Sequence, residues 1–140
     1  MGYMVRQMVI EDYDEVLALW KNSESILLSK VDSMECIKKF LERNTGLSYV
    51  AMDGSEMIGA VLCSHDGRLG YLSHLVVSKD FRRQGIGRQL VGRCMYALTG
   101  MGIHKCILLI MRETEEALNF WRSVDPGGRV SLVMMGPHSS

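Results

Sequence analysis

The chain has no excess of either charge: sixteen Lys and Arg residues balance sixteen Asp and Glu across 140 residues. Binders of nucleic acid or of a membrane surface favour an overall basic excess, so neither class of partner is expected. No apolar run approaches membrane-spanning length, and the N-terminus lacks the charged, apolar and small-residue pattern of a secretory leader. Cysteine is sparse. Cys36, Cys63, Cys94 and Cys106 include no pair at CxxC spacing, which argues against a zinc site, and no metal is expected. Each lies inside an apolar pattern, as a buried free thiol of a reducing compartment does, so the expected setting is cytoplasmic. Internal repeats, low-complexity tracts and Pro/Ser-rich linkers are also missing, with only two prolines in all. The length then predicts one domain over residues 1–140, able to bury roughly two thirds of its unfolded surface without a staple.

What is present is regular patterning. "YMVRQM" (Tyr3 to Met8) alternates weakly and suits a first strand. "DYDEVLALWKNS" and "DSMECIKKFLERN" each carry apolar residues at helical spacing, and Asp12 with Glu15 and Asp32 with Glu35 read as capping boxes. Three strand-like runs follow: "LSYVAM", "MIGAVLCS" and "GYLSHLVVS". The Asp-Gly pairs of Asp53-Gly54 and of "HDGR" make hairpin turns between them. After Gly85, residues Leu90, Val91, Cys94, Met95 and Leu98 share one helical face. "KCILLIM" (Lys105 to Met111) suits a strand buried on both faces. "TEEALNFWRSV" (Thr114 to Val124) reads as a last helix, stopped by Asp125-Pro126-Gly127-Gly128 before a final strand, "RVSLVMM". The order β α α β β β α β α β predicts an α/β fold. Its sheet is mixed and mostly antiparallel, with a parallel central pair and helices on both faces.

The densest feature is "FRRQGIGRQLVGRC", Phe81 to Cys94, where a strand hands over to a helix. A helix start leaves backbone N–H groups unpaired and carries partial positive charge. Glycines at Gly85 and Gly87 allow positive φ and close approach of a ligand to the backbone. Arg82, Arg83 and Arg88 stand ready to add charge-assisted hydrogen bonds. Such a turn is either a phosphate cradle or a tight corner that uses glycine for geometry alone. The P-loop pattern fails, because no Gly-Lys-Ser/Thr follows, and the dinucleotide fingerprint fails at Leu90, where its third glycine would stand.

What remains, Arg82-x-x-Gly85-x-Gly87 after a strand ending Leu75-Val76-Val77, resembles the GNAT superfamily of N-acetyltransferases. The resemblance extends over nearly the whole chain, through the two N-terminal helices, the meander, the strand after the motif helix and the "EEALNFW" helix. It implies acetyl-CoA as the donor co-substrate and an amine as acceptor. It implies that the loop of Arg82, Arg83, Gln84, Gly85, Ile86, Gly87 and Arg88 holds the CoA pyrophosphate. The backbone of Leu75, Val76 and Val77 would pair with the pantetheine arm, and that strand would splay from the one at Lys105–Met111 to admit the thioester. A backbone N–H near Leu75 or Val76 would polarise the thioester carbonyl.

Acetyl transfer also needs a neutral amine, hence a base or a relay of waters. In several members of the superfamily a Glu or His four or two residues before the Leu of Leu-x-Val serves as base. Those positions are Tyr71 and Ser73 here, and period-two alternation puts both on the face of Leu75. Neither is a good base at neutral pH; each suits a water relay. His74 has the right chemistry but the opposite face, which favours packing or capping over catalysis. His65 and Asp66 belong to a hairpin turn, and Glu24 is read as a solvated carboxylate in the loop between the first two helices. By the resemblance, Thr114 takes the place of an Asn that bonds the CoA arm, and Trp121 that of a proton-donating Tyr. An indole has no acid to offer, so Trp121 is read as a wall of the CoA or acceptor pocket, or simply as core. A single strand follows "DPGG" where the superfamily commonly has two, so either the sheet ends early or a second copy of the chain completes its edge in a homodimer.

The expected activity is therefore acetyl transfer to a primary amine by direct attack in a ternary complex. A non-catalytic acyl-CoA-binding or sensing module fits the same loop with its missing Tyr and Glu. The acceptor, whether protein N-terminus, lysine side chain, polyamine, amino acid or antibiotic, is set by the loop around Asn22–Val31 and by the C-terminal strand.

Overall fold

Two kinds of apolar spacing, period two in the strands and helical in the segments between them, meet across a single sheet. The computed structural model describes residues 2–112, 114, 115, 117–119 and 129–134. Its elements are β1 (Met4–Gln7), α1 (Tyr13–Lys21), α2 (Met34–Arg43), β2 (Tyr49–Asp53), β3 (Glu56–His65), β4 (Gly70–Val77), α3 (Ile86–Gly100), β5 (Cys106–Ile110) and β6 (Val130–Met134). The six strands stand in sequence order across one sheet. Pairing is antiparallel from β1 to β4 and parallel from β4 through β5 to β6. The expected parallel pair is thus extended to three strands by β6. Residues 115 and 117–119 are helical, and the rest of the helix expected over 114–124 lies outside the described residues, as do Trp121 and the Asp-Pro-Gly-Gly stop.

Each face has its own core. Ile86, Leu90, Val91, Cys94, Met95 and Leu98 of α3 pack on Val61, Cys63, Leu72, Leu75, Val77 and Leu108. On the other face Val16 and Trp20 of α1 and Ile37 of α2 pack on Val50, Ala60, Leu62 and Val76. Gly70 sits under α3 so closely that a Cβ there would lie 2.5 Å from Leu98 Cδ1 and 2.9 Å from Cys106 Sγ. The glycine lets β4, β5 and the end of α3 converge at this corner.

Both expected capping boxes are displaced by one turn. A short 3-10 turn precedes each helix, over Ile10–Asp12 and Lys30–Asp32; Asp12 stands at the N-cap of α1 without a side-chain cap bond and Asp32 one residue before the cap of α2, because both carboxylates turn back to Val9 and Ser29 N–H. Ser33 caps α2 instead, accepting from Cys36 N–H at 3.2 Å. Asp12 accepts from Val9 N–H at 2.9 Å and from both Arg6 guanidinium nitrogens at 2.8 and 2.9 Å. Burial works against its charge, but the Arg6 and Val9 hydrogen bonds prevail and hold the carboxyl below its ordinary range. A depressed carboxyl stabilises the fold fully above its unfolded pKa of about 3.9 and loses that contribution as pH falls through the folded value. Urea melts should therefore show Asp12→Asn weaker than wild type at neutral pH and losing less stability below about pH 4. Parallel curves for the two proteins would refute this role for Asp12.

Candidate active site

The sheet opens where its pairing runs out. β4 pairs with β5 only from Gly70↔Cys106 to Leu72↔Leu108, whereas β5 continues on β6 as far as Ile110↔Met134. Beyond Leu72 the two central strands therefore part. The cause lies partly in β4 itself. Ala60 pairs with Val76 and Leu62 with Ser73, so His74 and Leu75 both stand opposite the single residue Val61. This bulge puts His74 at φ 51, a left-handed conformation uncommon for a residue with a β-carbon. A narrow slot of about 30 Å³ lies in the opening, lined by His74 and Leu75 on one side and residues 108–111 on the other. Ser25, Ile26 and Ala117 complete its lining.

At the far end of β4 lies a larger groove of about 720 Å³, lined by Val77, Phe81, Arg82, Arg83, Gly85, Ile86, Gly87, Arg88, Glu115 and Asn119. Gly85, at φ 79, forms the N-cap of α3 without any side chain to satisfy the helix start. The first hydrogen bond into the helix runs from Gln89 N–H to Gly85 C=O at 3.0 Å, so the amides of Ile86 and Gly87 precede the helical ladder. Arg83 also takes a left-handed φ, 66, so two successive turns of backbone curl around this end of the groove. Positive φ belongs to Gly85 alone of the two motif glycines; Gly87 is helical and buried in the first turn. Guanidiniums and helix-start amides converge here on one concave surface, the chemistry of an anion cradle.

Comparison with known proteins gives the chain its family. The family model described as the acetyltransferase (GNAT) family matches residues 11–124. The chain belongs to that family. Among curated relatives, an acetyltransferase of Sodalis glossinidius is 24% identical over 126 residues, 90% of this chain and 88% of its own length. An acetyltransferase of Photorhabdus laumondii is 28% identical over 108 residues, 77% of this chain and 75% of its own. Among solved structures, the PaiA N-acetyltransferase of Thermoplasma acidophilum in complex with coenzyme A superposes with a TM-score of 0.75 at 19% identity, covering 87% of each chain. That last likeness is one of fold.

Within this acetyltransferase the expected site residues divide. Leu75 lines the slot, Val77 the groove, and Val76 the opposite side of the same strand with Ser23, Lys79 and Arg82. Arg82 Nε donates to Val77 C=O at 3.3 Å, tying the loop to the end of β4. Gln84 is exposed in the loop outside the groove lining. Arg93 is drawn away: its guanidinium donates to Val5 C=O at 3.1 Å and covers the Tyr49 ring at 4.9 Å. Thr114 Oγ1 accepts from Ala117 N–H at 3.0 Å and shares a 2.7 Å hydrogen bond with Ser25 Oγ, so it caps a helical turn beside the slot.

The bulge corrects the assignment of faces on β4. Leu72 and Leu75 both belong to the α3 core, although they stand three positions apart. Ser73 pairs with Leu62, which packs with α1, so Ser73 and Tyr71 share that face and not the face of Leu75. Simple alternation fails because the extra residue resets the phase. Tyr71 donates its hydroxyl to Asp66 Oδ2 at 2.7 Å. Asp66 also accepts from Leu69 and Arg68 N–H at 2.8 Å each, and these hydrogen bonds hold its carboxyl down at about 2. The same bond raises the Tyr71 phenol, and His65 Nδ1 accepts from Gly67 N–H at 2.9 Å within this turn.

Two pairings beside the slot carry no signal in the sequence. His74 Nε2 lies 2.8 Å from Asp32 Oδ1 across 42 residues, and Ser25 meets Thr114 across 89. Neither spacing belongs to any local motif. Only the approach of the segment between α1 and α2 to the bulge brings them together.

Proposed function

We propose that this chain moves the acetyl group of acetyl-CoA to a primary amine by direct attack in a ternary complex. The parting of β4 from β5 beyond Leu72, with an amide-lined basic groove at its end, is the observation that carries this reading. In it the pyrophosphate rests on the loop of residues 82–88, with Arg82, Arg83, Gln84, Gly85, Ile86, Gly87 and Arg88 as its surroundings. The pantetheine arm adds to the free length of β4 at Leu75, Val76 and Val77 as an extra strand would. The thioester enters the slot, where an amide near Leu75 or Val76 polarises its carbonyl. Thr114 borders the arm from the helix that follows β5. Tyr71 and Ser73 supply polar side chains for a water relay on the α1 face of β4.

Direct attack is favoured over an acetyl-cysteine intermediate. Cys63, Cys94 and Cys106 are buried, whereas Cys36, expected to be buried like them, is exposed in the first turn of α2 and outside the slot lining. Burial is the main cause that pushes the Cys94 thiol up and the Cys106 thiol to about 12, and a thiol so held is a poor nucleophile. Free thiols suit a cytoplasmic setting, and no helix among the described residues is long and apolar enough to cross a membrane. The β6 edge is the surface on which a second copy would pair to make a homodimer.

The test is release of CoA thiol from acetyl-CoA, with and without amines, between about pH 6 and 9. The reading expects acceptor-dependent release. Binding of acetyl-CoA without release for any amine would instead support an acyl-CoA-sensing module.

A further inference from the structure

The groups beside the slot include a buried acid–imidazole pair to which the reading above assigns no role. His74 and Asp32 side chains are only 9% and 8% exposed, and they meet through Nε2 and Oδ1 at 2.8 Å. A carboxylate oxygen accepts, so Nε2 carries the hydrogen and Nδ1 keeps the lone pair. Asp32 is itself held: Oδ2 accepts from Ser29 N–H at 3.0 Å, and its backbone carbonyl accepts from Tyr13 O–H at 2.6 Å. The imidazole stands edge-on to Trp20 with ring centroids 4.8 Å apart at 77°. Its backbone is left-handed, a conformation that costs free energy and is kept only where the surroundings impose it. A strained residue in the slot lining, doubly oriented and with one ring nitrogen uncommitted to any described residue, is arranged for more than packing.

We propose that His74 is the general base of acetyl transfer and that Asp32 is its positioning residue. The inference rests on the acetyltransferase reading above. An amine arriving as its ammonium form gives one proton to His74 Nδ1. Its freed lone pair then adds to the thioester carbon, forming the C–N bond. Collapse of the adduct breaks the C–S bond and leaves that electron pair on sulfur; of the two protons left on nitrogen, one neutralises the thiolate and the other stays on the amide. The products are the amide, CoA thiol and an imidazolium stabilised by Asp32. The carboxylate serves by fixing the tautomer and by compensating the charge that forms in a largely buried place. Ser73 and Tyr71, on the same face, offer the route by which that proton reaches solvent.

Among the described residues, few titratable or charged groups face the ring. Asp32 faces it from the turn before α2. Tyr13, from α1, touches Asp32 and is kept protonated chiefly by burial, with nearby acidic groups adding to the effect. At the rim Arg112 reaches Glu24 C=O at 3.3 Å, which places one guanidinium near the mouth. β3 faces the bulge with Val61 and Leu62, and β5 contributes residues 108–110, all neutral.

The experiment measures kcat and KM against pH for wild type, His74→Asn, His74→Gln and Asp32→Asn. The acceptors are the free α-amine of a short peptide, a lysine side chain and spermidine, and the fastest is carried forward. Asn tolerates the left-handed conformation, so His74→Asn keeps the bulge where Gln strains it; thermal melts confirm which variants are folded. Loss of a general base lowers rates by about 10²–10⁴-fold. His74→Asn is therefore expected to lose at least about a hundredfold in kcat with KM for acetyl-CoA within about twofold. The acid limb of its kcat/KM profile should move to the ionisation of the acceptor amine itself. Asp32→Asn should lose less and shift that limb, without a change in KM for acetyl-CoA. Histidine ¹⁵N shifts of the wild-type protein should show His74 as the Nε2–H tautomer. A folded His74→Asn that keeps kcat within about threefold and retains the wild-type acid limb would overturn the proposal while leaving acetyl transfer intact. Failure of the wild type to transfer acetyl to any of the amines would overturn the functional reading itself, and this proposal with it.

Discussion

Gly85→Val is expected to raise KM for acetyl-CoA by about tenfold or more and to leave the protein folded. Gly85 holds φ 79 and ψ 12 at the N-cap of α3. Among the described residues beyond its chain neighbours, no atom lies within 4 Å of where its β-carbon would be, so the substitution's effect is conformational. A residue with a β-carbon in this region pays about 1–2 kcal/mol, and a β-branched one pays toward the upper end. The backbone relieves that strain by turning out of the left-handed region, which re-aims the amides of Ile86 and Gly87 away from the groove. A cost of about 1.4 kcal/mol in ligand binding is a factor of ten. Gly85→Ala should show the same effect in weaker form. If both variants bound acetyl-CoA as tightly as wild type in a titration, the turn would be a corner and the pyrophosphate would have to sit elsewhere.

Trp20→Ala should produce the largest loss of stability of any single truncation in the α1 face. Trp20 is fully buried, edge-on to Tyr13 at 6.5 Å and to His74 at 4.8 Å between ring centroids. It therefore links α1 to the bulge of β4. Removing a buried Trp side chain costs about 3–5 kcal/mol, a large share of the about 5–15 kcal/mol that holds a domain of ordinary stability. Trp20→Phe separates shape from polarity. Among the described residues Trp20 Nε1 is buried without a hydrogen-bond partner, so the indole carries a desolvation cost that a benzyl ring lacks. The Phe variant should therefore keep most of the stability that Ala loses. Urea melts on the three proteins read this directly. A Trp20→Ala midpoint close to wild type would mean that the α1 face closes without its central side chain.

The two substitutions probe different kinds of information. Gly85 announces itself in the sequence, because only local geometry is at stake: a strand end, a glycine and a helical run stand within a few residues. The same holds for the Asp53-Gly54 hairpin and for the apolar stripe of α3. The order of elements and the membership of β4 and β5 in one sheet were legible for that reason. Period and turn chemistry act over neighbours in the chain, and they are written there.

The faces of β4 were not legible. Alternation assigns Tyr71 and Ser73 to the side of Leu75, and one extra residue at His74 and Leu75 reverses that assignment. A bulge is decided by which strand β4 must follow on each side, β3 antiparallel and β5 parallel, and no local propensity records it. The displaced caps at Asp12 and Asp32 have the same origin. Their carboxylates answer to Arg6 and His74 rather than to the helix starts beside them. The sequence by itself determined the elements, their order, the sheet and the loop that begins α3. The tertiary structure alone decided that β4 bulges at His74, that His74 turns toward Asp32, and that Ser25 meets Thr114 beside the opening, because each depends on contacts between segments distant in the chain.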